Sequence, residues 1–135
     1  MNPSDRIIIV EDEKDIRELL LTVLENDGYS EIAVFENPIK ALQHIHNGWV
    51  PDLFITNYNL EQMKGDKVLE AARKIYPELR GLIITGDPLS VSEATGDFLI
   101  IDKGDLEFLE KLLQAIRSNI TTHVMQGKPD DPRVS

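Results

Sequence analysis

After a short polar segment the chain runs into Arg6-Ile7-Ile8-Ile9-Val10, apolar on consecutive positions and rich in β-branched residues. Consecutive rather than alternating apolar positions predict a parallel strand buried on both faces. The period then changes. Ile16, Leu19, Leu20, Val23 and Leu24 recur at helical spacing, with Asp15, Arg17, Glu18 and Glu25 between them. This predicts an amphipathic helix that closes near Gly28, a suitable residue just past a helix C-terminus. Ile32 to Phe35 reads as a second strand. Asn37-Pro38 offers an N-cap followed by a first-turn proline, and the helix it opens is expected to bury Ile39, Leu42 and Ile45 before running out at Asn47-Gly48.

The alternation continues. Leu53 to Thr56 predicts a third strand, and residues 66–76 a third helix with Val68, Leu69, Ala72 and Ile75 on its apolar side. Gly81 to Thr85 predicts a fourth strand. The stretch 87–96 is short and polar, with room for two or three helical turns at most. Residues 98–101 predict a fifth strand, and Leu106, Leu109, Leu112, Leu113, Ile116 and Ile120 a final helix. Beyond Thr121 the apolar period stops, so residues 121–135 are expected to form a mobile tail. Five strands alternating with five helices imply an α/β domain whose parallel sheet is covered on both faces by right-handed crossovers. Binding sites on such sheets lie at the carboxyl ends of the strands, where the winding reverses. The residues that matter most are therefore those closing the strands: Glu11-Asp12, Asn57, Thr85 and Lys103.

Composition narrows the function classes. A chain of 135 residues is most simply one domain. No cysteine is present, which excludes disulfides, thiolate metal sites and cysteine nucleophiles. A net charge of −10 argues against nonspecific nucleic-acid binding and against anionic membrane surfaces, both of which need Lys/Arg-rich faces. No apolar run approaches the length of a membrane span, and the first residues carry no secretory pattern, so a cytoplasmic protein is expected.

Taken singly, the strand-end residues are ordinary. Glu11-Asp12 could be two solvated loop acids, Thr85 a strand-end threonine with Gly86 leaving space above it, and Lys103 a surface lysine. Asp15 reads as a first-turn helix residue favoured by the helix dipole. Together they are far more specific. Two adjacent carboxylates repel each other unless a hard cation or a lysine stabilises them. An acidic pair after the first strand, a hydroxyl after the fourth and a lysine after the fifth resemble the response-regulator receiver domain of two-component signalling. The segment Pro51 to Gly65, PDLFITNYNLEQMKG, looks like that family's third strand and following loop. The resemblance covers residues 5–120 and implies a doubly wound, flavodoxin-like five-stranded sheet in the order 2-1-3-4-5, here with a shortened fourth helix.

The resemblance also implies a chemistry. In that family an aspartate after the third strand accepts a phosphoryl group from a histidine kinase, Mg²⁺ neutralises the charge, and the threonine hydroxyl and the lysine read the phosphate, as phosphoryl transfer by positioning and charge neutralisation requires. Carried onto this chain, the metal ligands are Glu11, Asp12, residue 57 and the carbonyl of Asn59, and the phosphate readers are Thr85 and Lys103. Residue 57, however, is asparagine. A neutral amide is no nucleophile toward phosphorus, and loss of one negative charge weakens a divalent site. Lys103, without its usual carboxylate partner, is expected to turn toward Glu11 or Asp12. Ile100 stands where the family often has a switch aromatic, Gly104 where proline is usual, and Leu60-Glu61 lacks the common loop proline. These departures point to a non-enzymatic receiver module that works through protein contacts with a histidine kinase, a phosphotransfer protein or an output protein, binding Mg²⁺ weakly if at all. The alternative is an ordinary Mg²⁺-dependent, phosphorylatable regulator in which Asn57 is an engineered replacement of aspartate. Enzymatic readings of the same fold fare worse: Glu11-Asp12-Glu13 would repel a flavin phosphate, and a phosphatase of the aspartate-nucleophile kind finds only a weak match after the first strand.

Overall fold

A computed structural model describes residues 5–91 and 98–118. Its centre is a parallel five-stranded sheet, β1 (Arg6–Val10), β2 (Glu31–Phe35), β3 (Leu53–Asn57), β4 (Arg80–Thr85) and β5 (Leu99–Asp102), in the order β2-β1-β3-β4-β5. The doubly wound fold and the strand order expected from the sequence are those observed. The order reverses between β1 and β3, whose registers pair Ile7 with Leu53 and Val10 with Thr56. The crevice at their carboxyl ends is where this topology opens a site.

Consecutive apolar residues on β1 and β3 face opposite sides of the sheet, and each side has its own core. Ile7, Ile9, Leu53 and Ile55 pack with α1 (Lys14–Asn26) and α4 (Phe108–Arg117). Ile8, Val10 and Phe54 pack with α2 (Pro38–His46) and α3 (Gly65–Ile75). The edge strands β2 and β5 are only partly buried, as strands with one neighbour are.

Local signals explain the helix ends. Asn37 Oδ1 accepts the Ile39 N–H at 2.7 Å and Pro38 follows it, so α2 starts where expected. At the far end of α1, the Gly28 N–H donates to Glu25 and the Tyr29 N–H to Leu24, with Gly28 at φ 100°. This is a Schellman closure, and buried Tyr29 and Leu24 supply its apolar contact.

Two expectations need correction. Ile39 was expected in the core, but the capped first turn presents Pro38, Ala41 and Ile45 to the sheet and leaves Ile39 40% exposed. Leu106 was expected on the last helix. It precedes that helix, fully exposed, because Asp105 makes a turn of its own: its Oδ1 accepts the Glu107 N–H and its carbonyl accepts the Phe108 N–H. Phe108 takes the buried place instead. Between β4 and β5 the described residues include a 3-10 turn, Pro88–Ser90. The rest of that connection, Ile120 and the expected tail 121–135 lie outside the described residues. Among the described residues no helix is long and apolar enough to cross a membrane.

Candidate functional site

The carboxyl ends of β1, β3, β4 and β5 deliver Glu11, Asp12, Asn57, Thr85 and Lys103 to one rim of the sheet. The ladder extends one residue past β1, where the Glu11 N–H donates to the Phe35 carbonyl at 3.0 Å. Glu11 is thereby held beneath the rim with no exposed surface, while Asp12 turns outward. Asn57 is itself 5% exposed at the floor of the crevice. Asp12 also lines a polar cleft of about 250 Å³ with Glu36, Asn37, Lys40, Glu61 and Gln62.

The loop after β3 folds back tightly over Asn57. The Gly65 N–H donates to the Tyr58 carbonyl at 2.8 Å, and a Cβ at residue 65 would stand 2.6 Å from the Asn57 carbonyl oxygen and 2.9 Å from Tyr58 Cα. Glycine at this distance from Asn57 is thus a packing requirement of the loop. Lys64 lies over the Tyr58 ring and donates to Asn59 Oδ1 at 2.9 Å, fixing the loop from outside.

Four of the expected residues and one carbonyl meet. Asn57 Nδ2 donates to Asp12 Oδ1 at 3.1 Å and to the Asn59 carbonyl at 3.3 Å. Lys103 turns to Glu11, with Nζ 3.0 Å from Oε1, and lies 3.8 Å from Glu13. Thr85 sits beside them through the backbone, where the Lys103 N–H donates to its carbonyl at 2.7 Å. Its hydroxyl is engaged with its own loop, accepting the Asp87 N–H at 3.1 Å.

The two acids titrate apart. Burial, and then the hydrogen bond shared with Asp12, pushes the Glu11 carboxyl up, against the pull of the Glu13 N–H and Lys103. Burial also works against charge on Asp12, but its bonds to Glu11 and Asn57 and the field of Lys103 hold its carboxyl below the usual range.

Two participants escaped the reading of the sequence. Glu13 adds a third carboxylate, and Glu11, Asp12 and Glu13 offer oxygens within 4.8 Å of one another, hard donors of the kind that hold divalent cations. Arg17 reaches back from α1 to donate to the carbonyls of Glu11 at 2.9 Å and Asp12 at 3.1 Å, and lies 3.9 Å from Glu36. Its signal was present: residue 17 lies one helical turn beyond Glu13, on the side that faces the acidic loop. Part of the expected ligand set is engaged by the chain's own donors. Asp12 Oδ1 and the Asn59 carbonyl share the Asn57 amide, and Glu11 Oε1 accepts from Lys103.

Comparison with known proteins gives one answer. A model of the response regulator receiver domain matches residues 7–115. The chain is 32% identical over 73 residues to the regulatory protein VanRc of Enterococcus gallinarum, covering 54% of this chain and 31% of that protein. It is 31% identical over 81 residues to the response regulator receiver protein CpdR of Brucella abortus, covering 60% and 66%. The matches thus span about a third and about two thirds of those relatives. In fold it is similar to the N-terminal domain of a response regulator/sensory box/GGDEF protein from Carboxydothermus hydrogenoformans, with a TM-score of 0.72, 24% identity, and coverage of 84% of this chain and 91% of that one. It is equally similar to the chemotaxis protein CheY4 of Vibrio cholerae, with a TM-score of 0.72, 21% identity, and coverage of 87% and 99%. With the topology, the acidic rim and the strand-end lysine in place, the chain belongs to the response regulator receiver domain family.

Proposed function

We propose that this receiver domain signals through protein contacts without taking a phosphoryl group on residue 57. The observation that carries the reading is the amide at the end of β3. Asn57 occupies the buried, loop-covered position that the family resemblance assigns to the acceptor carboxylate. An amide nitrogen holds its lone pair in resonance and is no nucleophile toward phosphorus, and the neutral side chain contributes no charge to a divalent ion. Its partners on this reading are a histidine kinase, a phosphotransfer protein or a downstream output protein in the cytoplasm, and its role is recognition rather than catalysis. Among the relatives, a protein-glutamate methylesterase/protein-glutamine glutaminase of Leptospira interrogans matches over 107 residues, 30% of its own length. For this chain we propose no comparable activity.

The test is intact mass after incubation with acetyl phosphate and Mg²⁺. The wild-type chain is expected to gain no phosphoryl adduct, and a stoichiometric one would overturn the reading. Asn57→Asp, run alongside, is expected to gain it, because Thr85, Lys103 and the acidic pair already surround the position. That intact frame favours a second reading, in which an ordinary phosphorylatable regulator carries a replacement at residue 57 alone; an aspartate codon at this position in the genome would establish it.

A further inference from the structure

Most of the oxygens that the family resemblance assigns to Mg²⁺ are engaged by the chain's own donors. A primary amide carries two N–H groups. Asn57 points Nδ2 at both Asp12 Oδ1, 3.1 Å away, and the Asn59 carbonyl, 3.3 Å away. Both oxygens of Glu11 are also engaged, Oε1 by the Lys103 ammonium at 3.0 Å and Oε2 by the Glu13 N–H at 3.1 Å. A Mg²⁺ ion demands oxygen ligands at about 2.0–2.1 Å in near-octahedral array. It cannot share that space with an N–H group lying between two of its ligands.

We infer that the Asn57 amide and the Lys103 ammonium together replace the divalent cation, so that the loops after β1, β3 and β5 are cross-linked without metal. Charge explains the substitution. A carboxylate at residue 57 would add a further anion to Glu11, Asp12 and Glu13 around one ammonium, an arrangement that a dication stabilises. With an amide, Glu11 pairs with Lys103, Glu13 lies 3.8 Å from the same ammonium, and Asp12 accepts a neutral donor. The amide also does mechanically what an ion does: it ties the loop after β1, through Asp12, to the loop after β3, through Asn59. Gly65 and Lys64 hold that second loop in place from behind. The rim is thereby locked in one arrangement, with the Thr85 hydroxyl engaged by its own loop.

This inference rests on the same reading of residue 57, and its test uses no phosphoryl donor, so that either can fail alone. Thermal unfolding of the full chain is compared in EDTA and in millimolar Mg²⁺. The wild-type Tm is expected to be the same in both. Asn57→Asp is expected to melt below wild type in EDTA and to rise by several degrees with Mg²⁺, since an ion that binds only the folded state stabilises it by mass action. In parallel, Mn²⁺ is added to the wild-type chain and its amide NMR signals are followed. Those of residues 11–13 and 57–59 are expected to stay sharp in the wild type. Selective broadening of those signals, or a wild-type Tm that climbs with Mg²⁺, would overturn the inference. So would an Asn57→Asp variant as stable as wild type in EDTA, because the two amide bonds would then hold nothing. If that variant does not fold, the Mn²⁺ result on the wild-type chain decides.

Discussion

Gly65 shows how narrowly a single residue constrains the rim. It opens α3, and within a helix glycine is ordinarily about 1 kcal/mol worse than alanine. On propensity alone Gly65→Ala should stabilise the protein. Packing reverses the sign. The new methyl would stand 2.6 Å from the Asn57 carbonyl oxygen and 2.9 Å from Tyr58 Cα, and both are backbone atoms that cannot swing aside as a flexible side chain would. Forced overpacking of this kind costs about 1–3 kcal/mol, more than the helix gains. Gly65→Ala is therefore expected to lower the urea midpoint of unfolding. An unchanged or raised midpoint would mean that the loop after β3 yields, and that residue 65 does not fix the position of Asn57.

At the scale of elements, α1 and α4 lie side by side on one face of the sheet and are tied at their ends. Arg117, in the last turn of α4, donates through Nε to Asp27 Oδ2 at 3.0 Å and through Nη2 to the other carboxylate oxygen, a bidentate pair at the C-terminal cap of α1. The hydrogen bonds from Arg117 hold the Asp27 carboxyl below the usual range. A carboxyl depressed in the folded state contributes stability above its unfolded pKa and loses it as pH falls through the folded value. The stability difference between wild type and Asp27→Asn should therefore be fully present at neutral pH. It should shrink as pH drops below about 4, the ordinary aspartate value, and vanish once the carboxyl is protonated in both states. Arg117 is 58% exposed, so added salt should erode the same difference at pH 7. Denaturation midpoints across that pH range check the slope. A difference that grows toward acid would show that the pair does not stabilise the fold.

The whole molecule shows which features of the chain were legible and why. Strands β1 and β3 could be read directly because each is buried on both faces, so their apolar residues run consecutively and no face need be assigned. Helix faces were less legible, since an apolar stripe is often wider than the contact it makes: Ile39 and Leu106 look like core in sequence and stand exposed. At the site, residue types at strand ends identified Glu11, Asp12, Asn57 and Lys103, although Lys103 meets Glu11 across 92 positions of chain. Glu13 and Arg17 were missed because their part depends on how α1 leaves β1, although the four-residue step from Glu13 to Arg17 does place both on one side of the helix start. The architecture then makes a quantitative distinction that hydrophobicity alone does not. Phe54 sits on the central strand, wholly buried and packed toward α2 and α3, where truncation leaves a cavity that a sheet paired on both sides cannot close. Phe54→Ala is expected to cost about 3–5 kcal/mol. Leu106, equally apolar, lies in the turn before α4 with its side chain in solvent, and Leu106→Ala should stay within about 0.5 kcal/mol of wild type. Urea denaturation of the two variants side by side measures this. A Leu106→Ala loss comparable to that of Phe54→Ala would mean that the turn before α4 is covered in solution by something that buries the leucine.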